Sequence, residues 1–403
     1  MMKAGAAVRT LEFPEDFFPV EGFAKPIDSL HARVLVLEGE IRCAILVLEM
    51  TSLPPDEIDA LRAILREETG AEHCFCLVTH TFSAPHFMPD HVLQTGEARR
   101  KKQQLRQAVY QAVREGAAEA AANLQPVSLA VGQAACLVNS PRDVQTPQGW
   151  WIANNGAGAV DHTMTTLRLG QAAVLVHYPI QSSVLDGSQL RTGGKAVSGD
   201  LAGMMASALE KELGCPVLFL IGAAGDQAPR CKAVNFTIGA QGELLPTDMQ
   251  EDAIPVCRDL AAEMLEAAQA ALAHEQRVED APLKWCQTAV TVPAKKIERD
   301  LKKLHPTRVP PYEPDGQSEQ TVDMLQVGAL KLIGVKPELN CVTAMQICGE
   351  DPLAKVVTLW NGGAKYMADA ASCDRITYES QNSPFMKGAA EQIVEAAKEL
   401  LRS

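Results

Sequence analysis

Two of the nine histidines stand where a chain could present them to a ligand. His80 comes just after the apolar run Cys74-Phe-Cys-Leu-Val78 and opens His80-Thr-Phe-Ser-Ala-Pro-His86. His177 comes after Ala173-Val-Leu-Val176 and leads into Tyr178-Pro-Ile-Gln-Ser-Ser183. Ligands of open α/β sheets collect beyond the carboxyl ends of strands, so two imidazoles at such ends can meet in one crevice and hold a metal. The plainer alternative is a hydrogen-bonded histidine at each strand end. A third stretch, Val217 to Pro229, is an apolar strand breaking into the turn Gly222-Ala-Ala-Gly225-Asp226. Its glycines suit close backbone approach to a ligand, and Asp226 could orient a neighbouring imidazole; a tight structural turn explains the same residues equally well. Near the C-terminus, Pro337-Glu338, Asn361 to Tyr366 and Tyr378-Glu379 follow strand-like or turn-like segments. A carboxylate in such a place also fits a helix start. No Walker A sequence and no Gly-x-Ser-x-Gly elbow occurs, and Asn155-Gly-Ala-Gly158 lacks the third glycine of a dinucleotide fingerprint.

The elements that must carry these residues alternate between strand and helix. Strand-like runs are expected at Ala32–Leu37, Ile41–Leu48, Cys74–Thr79, Val127–Val138, Thr165–Leu169, Ala172–Val176 and Val217–Ile221. Helices are expected over Pro55–Glu68, Gly96–Ala122, Gly199–Leu213 and Met249–His274, the first entered at proline and acids and left at Thr69-Gly70. That alternation predicts a layered α/β domain with mixed sheets. Beyond Glu275 come shorter strands at Gln287–Val292, Ala329–Val335 and Ala354–Trp360, and an amphipathic tail helix over Met386–Leu401. The proline-bearing stretch Lys295 to Glu319 reads as a long loop or a lid. No internal repeat is visible.

Thirty-seven basic against 50 acidic side chains leave a net charge of −13 over 403 residues. That balance excludes a default nucleic-acid partner, which needs clustered positive charge. Apolar residues at 47% exclude global disorder. The longest apolar run, Val217 to Ala224, is too short to span a bilayer, so no stable membrane insertion is expected. Eleven cysteines without framework spacing and an N-terminus without a secretory pattern predict free thiols and a cytoplasmic chain.

Taken in order, several motifs resemble the catalytic domain of the neutral/alkaline ceramidase family. They are Asp28-Ser-Leu-His-Ala-Arg-Val-Leu-Val-Leu37, Thr79-His80-Thr-Phe-Ser-Ala-Pro, Asn139-Ser-Pro-Arg142 with Thr146-Pro-Gln-Gly, and Val176-His177-Tyr-Pro. They continue with Ser198-Gly-Asp-Leu-Ala-Gly203, Gly222 to Asp226, Pro337-Glu338, Asn361 to Tyr366 and Tyr378-Glu379. Each is weak alone; their common order is much harder to obtain by chance. The resemblance implies a single catalytic domain over 1–403, divisible into an α/β core at 1–275 and a part at 276–403 that completes a metal site, with no C-terminal immunoglobulin-like domain.

The resemblance further implies one zinc per chain held by His80, His177, Glu338 and Tyr366, with Tyr378 polarising an amide oxygen and Arg142 helping to form the site. Two imidazoles and a carboxylate suit zinc and leave room for water. The implied reaction is hydrolysis of an amide-type bond in a soluble small molecule by metal-activated water, with Asp226 supporting a ligating histidine. Two positions depart from the family pattern. Phe82 stands where the family has a second motif histidine, and Ala228 where it has a serine. Those departures leave open a ceramidase-like binding protein with impaired catalysis, and the same machinery would also serve an esterase or lactonase. Oligomeric state is not legible in the sequence.

Overall fold

The computed structural model describes all residues except 1, 239–243, 280, 299–302, 350 and 403. Its centre is a pair of five-stranded sheets. The first runs His73–Val78, Arg42–Leu48, His31–Glu38, Lys3–Thr10, Gln125–Pro126, and the second runs Val217–Ile221, Ala173–Tyr178, Thr163–Leu169, Leu129–Ala135, Gln276–Val278. In both, the first two strands named are parallel and the remaining neighbours antiparallel. In both, a helix crosses between the parallel strands (Pro55–Thr69 or Asp200–Leu213) and a second helix precedes the last strand (Gly96–Ala122 or Ala253–Ala273). The chain therefore traces one path twice. No repeat is visible in the sequence because this path needs only the order of apolar runs and helices, which unrelated side chains can supply equally well.

Alternation along the strands sorts side chains into layers. Leu35, Leu37, Ile45, Val47, Phe75 and Leu77 of the first sheet meet Leu129, Leu167, Leu175, Leu218 and Leu220 of the second in one buried cluster. The opposite faces pack on the helices: Val36, Leu46 and Cys76 with Leu61, Leu65 and Val109, and Val174, Val176 and Phe219 with Leu201, Met205 and Met264. The order is helix, sheet, sheet, helix, the mixed α/β layering that the alternation predicts. Strands buried on both faces read as unbroken apolar runs, as Val217–Ile221 does.

Helix boundaries follow local chemistry. Pro55 opens its helix ahead of Asp56 and Glu57, and Gly70 closes it in the left-handed conformation with its N–H on the Arg66 carbonyl. Thr95 caps Gly96–Ala122 by accepting from the Ala98 N–H at 3.1 Å.

A third, four-stranded sheet comprises Leu283–Lys295, Pro314–Val327, Leu330–Val335 and Ala354–Val357. Leu325, Leu330 and Leu332 join the central cluster, while Ile333 and Val335 pack against Ile393 and Val394 of the terminal helix Ala389–Arg402. The loop expected over Lys295 to Glu319 is shorter than that, because Pro314–Glu319 already belongs to a strand. Gln317, Ser318 and Glu319 pair with Pro293, Val292 and Thr291, whereas the neighbour on the other side begins only at Val322. A strand segment with one open edge tolerates proline. Residues 299–302 of that stretch lie outside the described residues. Farther on, the His305 carbonyl accepts from Gln381 Nε2 at 3.1 Å and Arg308 donates to the Pro147 carbonyl at 3.0 Å. Among the described residues, no helix is long and apolar enough to cross a membrane.

Short pairings join the later part of the chain to the sheets. Glu338–Leu339 runs parallel to Tyr366–Met367, and Asn139–Pro141 runs antiparallel to Gln227–Pro229. The turn after Val217–Ile221 docks on the first of these, with the Gly225 N–H donating to the Leu339 carbonyl at 2.9 Å. A Cβ on Gly225 would lie 2.9 Å from that carbonyl oxygen and 3.2 Å from the Glu338 oxygen, where only backbone can yield. Gly225→Ala should therefore destabilise the protein by about 1–3 kcal/mol, read from urea unfolding. A midpoint unchanged from the parent would refute this tight docking.

Candidate active site

His80 ends up in the site because the chain turns sharply after strand His73–Val78. The Thr79 N–H still donates to the Leu48 carbonyl at 2.9 Å, and His80 then takes φ of +59°, a conformation that L-residues other than glycine adopt at a cost of order 1 kcal/mol. The turn lays the ring on Thr51, with Nδ1 at 2.5 Å from its carbonyl oxygen. A carbonyl only accepts, so Nδ1 carries a hydrogen and Nε2 is the nitrogen that faces Glu338 Oε2 at 3.1 Å. A bare Nε2 lone pair there would confront a carboxylate oxygen. The contact therefore needs a positive charge on or between its partners. Nε2 is buried and lies off the line of a good hydrogen bond, so the attraction is that of an ion pair.

Glu338 and Tyr366 are register partners in their two-residue parallel pairing, which sets the carboxylate beside the phenol. Glu338 Oε2 also accepts from Gln181 Nε2 at 2.8 Å, and Gln181 Oε1 accepts from Arg142 Nη1 at 2.7 Å. Arg142 gives Nε to Glu379 Oε1 at 2.8 Å. Its guanidinium carbon lies 5.4 Å from the Tyr366 ring centre and 5.8 Å from that of Tyr378. Tyr378 receives a hydrogen bond from Asn382 Nδ2 at 3.3 Å and stands edge-on to Trp151, ring centres 5.5 Å apart. His80 and Glu338 are each 4% exposed and Arg142 6%, while Tyr378, Trp151 and Phe82 are half-buried at the rim.

The protonation states follow from these neighbours. Burial opposes charge on His80, but the Glu338 carboxylate outweighs it and raises the imidazole above its ordinary 6.5. Burial likewise opposes charge on Glu338, and His80 and Arg142 together hold it below the usual carboxylate range. Burial, followed by the adjacent Glu379, pushes the Asp143 carboxyl far up. Asp143 Oδ1 and Glu379 Oε2 are both buried without a hydrogen-bond partner. Burial raises both Tyr366 and Tyr378, which keeps them as neutral O–H donors.

The structure thus brings His80, Glu338, Tyr366, Tyr378 and Arg142 together, and leaves His177 and Asp226 out. His177 belongs to a strand whose Val174 and Val176 face the helices, so alternation turns its ring the other way. There Nε2 donates to the Val356 carbonyl at 2.8 Å, and the ring borders a separate cavity of about 240 Å³ with Asp161, Cys341, Met345 and Lys355. Burial, with Lys355 beside it, holds His177 down to about 4. The Asp226 carboxylate accepts from the Cys341 N–H at 2.8 Å, at the head of helix Cys341–Cys348, and from Gln227 Nε2 at 3.1 Å. It supports neither histidine, a role that falls to the carbonyls of Thr51 and Val356. Its own carbonyl accepts the Arg142 N–H at 3.0 Å, so Asp226 positions Arg142 through the main chain. His86 does not take the place of the absent motif histidine. It is held by Glu21 at 2.8 Å and Thr51 Oγ1 at 3.1 Å, while Phe82 sets its ring 4.6 Å from that of His80.

These donors do not fit the expected zinc set. Of its four members, His177 has turned away, and among the described residues no three of His, Cys, Asp or Glu gather as a metal requires. Three participants were given no role in the sequence reading: Gln181, Asp143 and Glu379. The last two directly follow Arg142 and Tyr378, which was an available signal. Nothing local marks Gln181.

The signs of the two shifts define a pH window. The charged Glu338 contributes stability above its ordinary range, and this is lost as pH falls through its lowered value. The charged His80 contributes below 6.5, and this is lost as pH rises through its raised value. Nitrogen-15 NMR should therefore find the His80 ring titrating above 6.5, with its midpoint falling in Glu338→Gln. A midpoint at or below 6.5 would contradict the ion pair.

Neither a family model nor a curated protein matches this sequence. Solved structures do. The crystal structure of neutral ceramidase from Pseudomonas aeruginosa superposes with a TM-score of 0.71 at 14% identity, over 100% of this chain and 74% of that one. A ceramidase complexed with C2 matches with the same score and identity, over 100% of this chain and 75% of that one. At such identity the likeness speaks to the fold, and at that level the resemblance read from the sequence holds: this chain has the neutral ceramidase fold.

Proposed function

We propose that this chain hydrolyses an amide-type, N-acyl bond in a soluble small molecule. The observation that carries the reading is the convergence of His80, Glu338, Arg142, Tyr366 and Tyr378, from five separate stretches of chain, on one buried point with a half-buried rim. The neutral ceramidase fold supports the choice of bond. Water attacks the carbonyl carbon and gives one proton to the Glu338 carboxylate. His80, protonated on Nε2, returns one to the departing amine as the C–N bond breaks, and the pair then re-shares the proton it gained. The Tyr378 hydroxyl, itself an acceptor from Asn382, donates to the carbonyl oxygen as charge develops there, with the Arg142 guanidinium close by. Zinc, the cofactor implied by the resemblance, has no step in this reading because the donor set lacks His177.

A second reading keeps the binding site without turnover. Phe82, edge-on to His80 where an acid–base group is expected, and Ala228 in place of serine favour it.

A panel of N-acyl amides of graded acyl length separates the two readings. Under the first, at least one amide is cleaved, Glu338→Gln lowers kcat by roughly 10²- to 10⁴-fold, and Tyr378→Phe lowers it by about 10²- to 10³-fold. Saturable calorimetric binding of an amide that is never cleaved would replace the first reading with the second.

A further inference from the structure

We infer that Gln181 occupies the corner of this site that a second histidine ligand would need, so that the centre does not retain a zinc-type divalent ion and is one side chain short of being able to. The inference stands on donor geometry alone and does not depend on the hydrolase reading.

Three observations carry it. His177 has already given its Nε2 hydrogen to the Val356 carbonyl and borders a different cavity. At Glu338, the group found instead is the Gln181 amide, whose orientation is settled by its other end: Oε1 accepts from Arg142 Nη1 at 2.7 Å, so the NH₂ faces the Glu338 carboxylate at 2.8 Å. An amide NH₂ is a donor without a lone pair for a cation, and it carries the Arg142 charge one step closer to the carboxylate.

The main chain around Gln181 is also built. Asp200, at φ +52°, accepts the N–H groups of Val184 at 3.1 Å and Leu185 at 2.9 Å. Ser182 Oγ accepts from the Ala202 N–H at 3.0 Å and donates to the Gly199 carbonyl at 3.3 Å. Behind that turn, Asp28 accepts from Ser198 Oγ at 2.6 Å and the Gly199 N–H at 2.7 Å. The main chain at position 181 is therefore fixed by its neighbours with its side chain toward Glu338. An imidazole Nε2 reaches about as far from its Cα as a glutamine amide nitrogen, so Gln181→His would complete a two-histidine, one-carboxylate set with His80 and Glu338, a combination that zinc accepts.

The test reads metal, not turnover. The full chain is produced in zinc-supplemented medium, desalted and measured by plasma emission, and zinc chloride is titrated into it calorimetrically. The parent chain should hold far less than one zinc per chain. Gln181→His should bind zinc at least about a hundredfold more tightly, beyond the roughly 10- to 100-fold produced by changes outside a ligand shell. That gain should vanish when His80→Ala is added. Zinc near one per chain in the parent, removed by His177→Ala, would overturn the inference, as would a folded Gln181→His with no gain. The parent measurement decides even if that variant fails to fold.

Discussion

A guanidinium taken out of water organises this site. Arg142 is 6% exposed, and a buried charge left unmatched costs several kcal/mol, so the chain must bring partners to it. Gln181 arrives from the end of one central strand, Glu379 from the short helix Tyr378–Gln381, and the Arg142 backbone is itself held by the Asp226 carbonyl. Through Gln181 the same network reaches Glu338, and through Glu338 it reaches His80. Arg142 is thus the node at which the first sheet, the second sheet and the C-terminal part of the chain agree on a single geometry.

The duplicated sheet path explains why one edge of the molecule carries chemistry. Each sheet ends its parallel pair with a strand that breaks into a turn, Thr79-His80 in the first and Gly222 to Asp226 in the second. The two turns serve different purposes. The first uses a strained left-handed histidine to deliver an imidazole, whereas the second uses glycine to let the Glu338–Leu339 strand dock on bare backbone. One turn therefore supplies a functional group and the other supplies the surface that positions its partner.

Where the motifs imply a second histidine, the structure sets the Gln181 amide beside Glu338 as a hydrogen-bond donor. His80 and Arg142 both hold the Glu338 carboxyl low, and the carboxylate in turn raises the His80 imidazole above 6.5. On the far side of the guanidinium, burial and the neighbouring Glu379 push the Asp143 carboxyl up. From Glu338 through Gln181 and Arg142 to Glu379 the hydrogen-bonded groups are continuous and buried.

Much of the architecture was legible in the residues. The helices Gly96–Ala122 and Pro55–Thr69 announce themselves by proline, acids, a threonine cap and a closing glycine, and the buried strands by unbroken apolar runs. Those signals are local, because capping and alternation act over a few residues. The motifs likewise carried His80, Glu338, Tyr366, Tyr378 and Arg142, which the fold brings to one place. What the sequence did not determine is which way a side chain faces at a strand end. His177 lies near the end of its strand and His80 just beyond the end of its own, but the parity of Val174 and Val176 against the helices sends the His177 ring to the other face. Gln181, four residues later, takes the position beside Glu338 because Asp200 and Ser182 hold its turn from another part of the chain. Facing is a long-range property decided by packing, and only the tertiary structure could say that a glutamine, and not the histidine, meets the carboxylate.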